Sequence, residues 1–297
     1  MDILPPELWM HIFAFSCTDG GFTGRSLSGV SRATHYLSKP AKYQSLCVVG
    51  RDQLFKLLVV LSRLPPNERR IRYLFIAGFD DTKAFDGRAM DLPVNADDIL
   101  GRVLRLVAPS LVSLDIHRRT VLRQPSAFEI DFPLLTDLTL HGPYQSLHPI
   151  RLRPGAASFP SLRRIDIHHF SHRPAHFLQH IVLAAPRLTC LRVPQCSFTP
   201  YEIQVALGIL QPVASDSEAV FFPPSLETLL IDADSLMARM DAFEGNARTT
   251  QFLKKYQKIA ARDKRVRVMQ GRREWTPVAE AQQQWLQDVA RLSMLES

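Results

Sequence analysis

Long apolar runs are missing from this chain: no stretch approaches the roughly 18 uninterrupted apolar residues of a membrane-spanning helix, so no membrane span is expected. The opening Met1-Asp2-Ile3-Leu4-Pro5-Pro6 lacks the basic segment and apolar core of an export signal, which points to the cytoplasm or nucleus. Cysteine is scarce. Cys17, Cys47, Cys190 and Cys196 are scattered among unrelated segments. None forms the close pairs of a zinc knuckle or redox centre, so reduced, mostly buried thiols are expected.

Catalytic signatures are also lacking. The chain has no Gly-rich phosphate loop, no Gly-x-Ser-x-Gly elbow and no His-Glu-x-x-His helix. The nearest approach is His176-Phe-Leu-Gln-His180. Two imidazoles four apart on a helix can share a metal, but Phe177 stands where the general base belongs, so the segment reads as a surface helix. The expectation is a protein that is not an enzyme and holds no metal or cofactor. A net charge of +7 raises the question of nucleic acid. The excess is local, however: residues 111–196 carry ten Arg against five acids, and residues 197–297 carry twelve basic against thirteen acidic residues. Without interleaved aromatics or a reading helix, the basic face is read as solvated and not as a nucleic-acid site.

What the chain does have is enough apolar content, 46% of 297 residues, for a large core, and a repeat. The pattern Pro-x-Leu-x-x-Leu-x-aliphatic occurs five times. The copies are Pro109-Ser-Leu111-Val-Ser-Leu114-Asp-Ile116, Pro133-Leu-Leu135-Thr-Asp-Leu138-Thr-Leu140, Pro160-Ser-Leu162-Arg-Arg-Ile165-Asp-Ile167, Pro186-Arg-Leu188-Thr-Cys-Leu191-Arg-Val193 and Pro224-Ser-Leu226-Glu-Thr-Leu229-Leu-Ile231. Ile71-Arg-Tyr-Leu74-Phe-Ile76 is an earlier copy without the proline. The first leucines are spaced by 24, 27, 26 and 38 residues, at or above the length of a leucine-rich repeat. Alternation at Leu114/Ile116, Leu138/Leu140 and Ile165/Ile167 turns one side of each short strand inward.

Segments of helical period lie between the strands: residues 53–64, 97–107, 174–185, 200–210 and 248–261. After Ile116 and Leu140 the connections hold Pro125, Pro143, Pro149 and Pro154, which favour turns over full helices. Residues 265–269 read as one more strand. Residues 277–294 read as a helix, with Val278, Ala281, Trp285, Val289 and Leu292 at helical spacing, expected to cap the open end. The fold class is therefore α/β, with a right-handed leucine-rich-repeat-like solenoid over residues 46–297 whose parallel strands share a concave face.

Residues 1–45 do not fit the repeat. Leu4-Pro5-Pro6-Glu7-Leu8 opens a helix that places Leu8, Ile12 and Phe15 on one face, widened by Trp9 and Phe13. A second helix is expected over about residues 26–38, with Leu27, Val30, Ala33 and Leu37 in one arc and Pro40 as its stop. Leu-Pro-x-Glu-Leu-x-x-x-Ile-Phe followed by Val-Ser-Arg about twenty residues on resembles the F-box, and Pro40-Ala-Lys-Tyr43-Gln-Ser-Leu46-Cys-Val48 is similar to the segment that leads many fungal F-box proteins into their first solenoid strand. Where many F-boxes have a tryptophan after Val-Ser-Arg, this chain has Thr34-His35, and Thr18-Asp-Gly-Gly21 lengthens the inter-helix loop.

The resemblance implies a substrate-recognition subunit of a cullin-RING ubiquitin ligase. Its F-box would bind the Skp-type adaptor through Leu4, Pro5, Glu7, Leu8, Ile12, Phe13 and Val30, and its solenoid would bind a protein substrate. Aligning the repeats puts His117, His141 and His168 in one column and Asp115, Thr139, Asp166 and Arg192 in its neighbour, with Arg164 beside them. In-register parallel strands bring such columns to about 4.8 Å spacing. This strip is either a substrate-binding surface sensitive to pH or a solvated polar face. Lysine is absent from Ala84 to Leu253, which either limits self-ubiquitination near the substrate or reflects arginine-biased composition. Two rivals stand beside the receptor. One is a non-ligase leucine-rich-repeat scaffold, with Leu8 and Ile12 buried against Leu46 and Leu57. The other is a nucleic-acid binder using Arg118, Arg119, Arg151, Arg153, Arg163 and Arg164.

Overall fold

The structure is a computed structural model that describes residues 4–78, 96–118, 130–142, 158–168, 177–194, 198–212, 220–232, 247–269 and 276–295. The proline-bearing returns at 125, 143, 149 and 154, together with His176 and Cys196, lie outside the described residues. The chain is mixed α/β and divides into two compact units, Met1–Arg119 with Thr276–Ser297, and Thr120–Trp275. Among the described residues no helix is long and apolar enough to cross a membrane.

In the first unit, helices α1 (Pro6–Ser16), α2 (Phe22–Val30) and α3 (Arg32–Ser38) precede strand β1 (Ser45–Val49), helix α4 (Arg51–Arg63), strand β2 (Tyr73–Ala77), helix α5 (Ala96–Val107) and strand β3 (Ser113–His117). The single helix expected over residues 26–38 is in fact two. Ser31 adopts an extended backbone and its hydroxyl accepts from Thr34 N, which caps α3 and ends α2. A side chain that satisfies a free N–H at a new helix start competes with continuation of the old one. Leu27 and Leu37 turn inward to pack with Trp9 around buried Phe13, Cys17 and Ala41, whereas Val30 and Ala33 stay exposed.

The longer loop at Thr18-Asp-Gly-Gly21 is an attachment point. Gly20 N donates to Ser45 Oγ at 3.1 Å and Gly20 O accepts from Cys47 N at 3.3 Å, which fastens the helices to β1. Gly20 has φ +73°, and a Cβ there would stand 3.1 Å from Cys47 Cβ, so both conformation and space call for glycine. Gln44 Nε2 adds a bond to Ala14 O at 3.1 Å.

β1, β2 and β3 are parallel and in register, with Leu46, Leu74 and Leu114 level and Val48, Ile76 and Ile116 level. The final helix, α9 (Val278–Leu295), lies on the other side of these strands. Its Ala281, Trp285 and Val289 pack against Tyr73, Phe75 and Ala77, with the Trp285 and Phe75 ring centroids 5.6 Å apart. The expectation that this helix closes the end of the last repeat is thereby corrected: its packing partner is the β2–β3 face. An amphipathic stripe specifies that a face is buried, not which surface buries it.

The second unit carries strands β4 (Asp137–His141), β5 (Arg164–Ile167), β6 (Cys190–Pro194), β7 (Thr228–Asp232) and β8 (Val266–Met269), all parallel. Helices α6 (Phe177–Ala184), α7 (Pro200–Ala206) and α8 (Ala247–Arg262) lie between them in the chain.

The repeated proline has a local cause. Leu135, Leu162, Leu188 and Leu226 each donate a backbone N–H to the residue three before, Phe132, Phe159, Ala185 and Pro223. Proline therefore holds the second position of a four-residue turn, where its fixed φ is already correct. Directly after the turn one carbonyl of the preceding copy accepts two N–H groups: Thr136 O from Arg163 and Arg164, Arg163 O from Thr189 and Cys190, Thr189 O from Glu227 and Thr228. The same fork recurs in the first unit at Gln44 O and Arg72 O. Where the copy reads Pro-Ser-Leu, the serine hydroxyl adds a bond to the preceding copy, Ser110 to Ile71 O, Ser161 to Pro133 O and Ser225 to Leu188 O. The three aliphatic positions of all five copies are buried.

Candidate functional site

Two surfaces hold the residues singled out by sequence, one in each unit. The first is the outer side of the helical module. Pro5 and Pro6 start α1 without loss, because a helix's first turn has no intrahelical partner for its N–H groups, and Pro5 O accepts from Leu8 N and Trp9 N. From there Leu8, Ile12 and Phe15 follow at i, i+4 and i+7, a single stripe along the helix. All three face solvent: Leu8 is 48% exposed, Ile12 43% and Phe15 51%. Leu4, Pro5 and Glu7 are exposed at the start of this helix, and Val30 at the end of α2. Phe13 is not among them. At 4% exposure it forms the module's core with Cys17 and Ala41, so its expected place on the docking face is corrected. Position 13 falls about 100° around the helix from Ile12, on the side that faces α3. The sequence pattern did not single out Phe22 and Tyr36, which are among the most exposed large apolar side chains of the described residues. The scaffold rival requires Leu8 and Ile12 to be buried, and they are not.

Elsewhere in the first unit, Asp115 and His117 are buried, so their expected exposure on an open strand face is corrected. They share the side of the sheet taken by Tyr73, Phe75 and Ala77, which α9 covers. His117 Nε2 donates to Thr276 O at 2.7 Å, at the entry to α9. Next to it Arg118 is buried in an ion pair with Asp97, which removes it from the nucleic-acid reading. Arg119, Arg151 and Arg153 lie outside the described residues. The Cys17 and Cys47 thiols are pushed up to about 11, mainly by burial, with Asp19 adding to the first and Asp115 to the second. Such thiols stay protonated and unreactive at neutral pH.

The second surface is the polar side of β4–β8. Register sets Thr139, Asp166, Arg192, Leu230 and Arg267 level across the five strands. Asp166 is the hub. Its Oδ1 lies 3.2 Å from His168 Nε2 and 3.6 Å from Arg192 Nε, and its Oδ2 lies 3.6 Å from Arg164. Arg192 also reaches Asp232 Oδ2 at 3.4 Å. The His141 and His168 rings stack with centroids 3.9 Å apart and planes 9° apart. Within the second unit His141 and His168 therefore pair in one column and Thr139, Asp166 and Arg192 line up in its neighbour, and Asp232 joins them through Arg192. Asp232 follows Ile231 as His141 follows Leu140, a signal present in the repeat alignment. Arg164, Arg192, His168 and Thr139 keep part of their surface in solvent, while Asp166 and His141 are buried beneath and fix their neighbours. Held guanidinium and imidazole groups of this kind can accept hydrogen-bonding partners with little loss of rotamer freedom.

No family model and no curated protein sequence matches the chain. The sites stand on their geometry.

Burial raises the Asp166 carboxyl above its ordinary value, against the opposing pull of Arg192 and Arg164. A carboxyl with a raised folded-state value binds its proton more tightly folded than unfolded, so its contribution to stability falls as pH rises through the window above the usual carboxylate range. Asp166→Asn removes this contribution. Urea unfolding at about pH 4.5 and about pH 7.5 is expected to show wild type losing stability relative to the variant at the higher pH. A constant difference between the two would contradict the burial argument.

Proposed function

We propose that the chain is a non-catalytic substrate receptor of a cullin-RING ubiquitin ligase. Its N-terminal helices act as an F-box that docks on the Skp-type adaptor, and its repeat acts as a leucine-rich-repeat-like solenoid that holds a protein substrate. The observation that carries this reading is the exposed apolar stripe Leu8, Ile12 and Phe15 on α1, a helix otherwise packed into a three-helix module fastened to the first strand. Large apolar side chains left in solvent at helical spacing mark a surface that another protein covers. The sequence pattern Leu-Pro-x-Glu-Leu with a later Val-Ser-Arg supports the adaptor as that protein.

In this reading the polar side of β4–β8 receives the substrate, with Arg164, Arg192, His168 and Thr139 as its contacts. The mechanism is proximity: a substrate tethered beside a charged conjugating enzyme reacts at raised effective concentration, and the receptor supplies no reacting group. The test is assembly. Purified full-length chain mixed with adaptor, cullin and RING subunit is expected to elute as one complex that does not form when adaptor is left out. A chain that stays apart from the complete mixture overturns the reading.

A further inference from the structure

Charge is unevenly placed towards the end of the repeat. Residues 197–246 carry eight acids and one arginine, whereas Ala247–Met269, which form α8, the turn after it and β8, carry eight basic residues and one acid. That excess of seven equals the net charge of the whole chain, so the remaining residues balance. The one acid, Asp263, is already answered by Arg265, whose Nη2 lies 2.7 Å from its Oδ2. On α8, Lys254, Lys255, Lys258 and Arg262 fall within about 100° of arc. They are exposed, as are Lys264 on the turn and Arg267 on β8. Across the helix Tyr256 is buried and its hydroxyl donates to Phe198 O at 2.7 Å, which holds the basic side outward.

This charge borders an open edge. β8 is the last strand of the sheet, and among the described residues it pairs with β7 alone. Leu229 is level with Val266 and donates its N–H to Arg265 O. In a parallel pair the bonds of one residue go to the two neighbours of its partner, so the backbone groups of Arg265, Arg267 and Met269 face β7 and those of Val266 and Val268 face away. Val266 N is taken by Asp263 O in the turn. Val266 O, Val268 N and Val268 O are left without a partner among the described residues. The edge thus offers one donor and two acceptors at the repeat of an extended chain.

We propose that the β8 edge is the docking site of an acidic peptide segment of another protein, which adds to the sheet as a further strand. An added strand stands about 4.8 Å from β8, so an acid level with Arg267 meets its guanidinium, and further acids meet Lys264 and the basic side of α8. Three features select this occupant. Two copies of β8 do not pair, because each brings the same positive excess to the contact. The phosphates of a nucleic acid or a lipid surface match the charge but only accept hydrogen bonds, so they leave Val266 O and Val268 O unanswered. A peptide in extended form supplies N–H donors for both carbonyls and a carbonyl for Val268 N, which is recognition by strand addition, and its carboxylates answer the lysines and arginines. The inference does not depend on the adaptor reading.

The experiment is fluorescence anisotropy of the full chain with a labelled peptide of alternating glutamate and threonine. Beside it are two versions of the peptide, N-methylated either at every glutamate or at every threonine, and an oligothymidylate of equal charge. The unmodified peptide is expected to bind saturably. Only one set of its N–H groups can face β8, so one methylated peptide is expected to bind at least about tenfold more weakly while the other binds as the parent does. Lys264→Glu/Arg267→Glu is expected to weaken the parent at least about tenfold with an unchanged melting temperature. Two methylated peptides that bind alike, a variant that binds as wild type does, or a folded chain that binds no peptide overturns the inference. Oligothymidylate that binds as tightly as the peptide also overturns it, since the surface is then a general polyanion site.

Discussion

Leu8→Asp/Ile12→Asp is expected to weaken adaptor binding by more than about a hundredfold, which is about 2.8 kcal/mol at about 1.4 kcal/mol per decade, with little change in the melting temperature. Both halves follow from where these side chains are. They project from one stripe of α1 into solvent, so an aspartate at either place stays hydrated in the free protein. Surface substitutions of this kind shift stability by about 0.5 kcal/mol or less, and the negative charge at position 8 falls near the start of the helix, where it is favoured. In the complex the same carboxylates would be taken out of water without a partner, at several kcal/mol. Titration calorimetry of both proteins and a thermal melt check the two halves separately. A variant that unfolds would place the stripe in a core. One that binds normally would place the docking surface elsewhere.

Trp285→Ala has the largest expected effect on stability, about 3–5 kcal/mol for truncation of a buried aromatic. Trp285 is 3% exposed and sits in the cluster that joins α9 to the strands, with Tyr73, Phe75, Ala77, Val112 and Val289 around it. Its ring is also 3.7 Å from the position a Cβ would take on Gly20, so it borders the loop that fastens the helical module to β1. Loss of the ring leaves a cavity between α9 and β2 that the rigid strands cannot close. Urea titration followed by far-ultraviolet circular dichroism measures the change. A loss under about 1 kcal/mol would mean that α9 is not held on the β2–β3 face.

The strands were legible in the sequence because each copy writes its own turn and its own core. The proline sets the turn's backbone, the leucine two residues on enters the core, and strict alternation marks the next two aliphatic positions. The break at Ser31 was not legible, because Leu27, Val30, Ala33 and Leu37 keep one helical arc straight through it. Only the capping bond from Thr34 N reveals that the chain restarts there.

Asp115 and His117 show a different limit. In the aligned copies they are indistinguishable from Asp166 and His168, yet the first pair is buried under α9 while His168 keeps part of its surface in solvent. What separates them is a helix more than a hundred residues later in the chain, and periodicity carries no information about which face such a helix will choose. Asp232 was legible but overlooked, since its column holds histidine in three other copies. Phe13 was misplaced because motif resemblance assigns positions, whereas burial is decided by the angle around α1 relative to α3.

The central claim is that the exposed stripe of α1 is an adaptor-docking surface, and titration of the folded wild-type chain into purified Skp-type adaptor tests it most directly. The account predicts saturable one-to-one binding with a negative heat-capacity change, the mark of apolar surface leaving water. A folded chain that gives no binding heat at any temperature tried would contradict it.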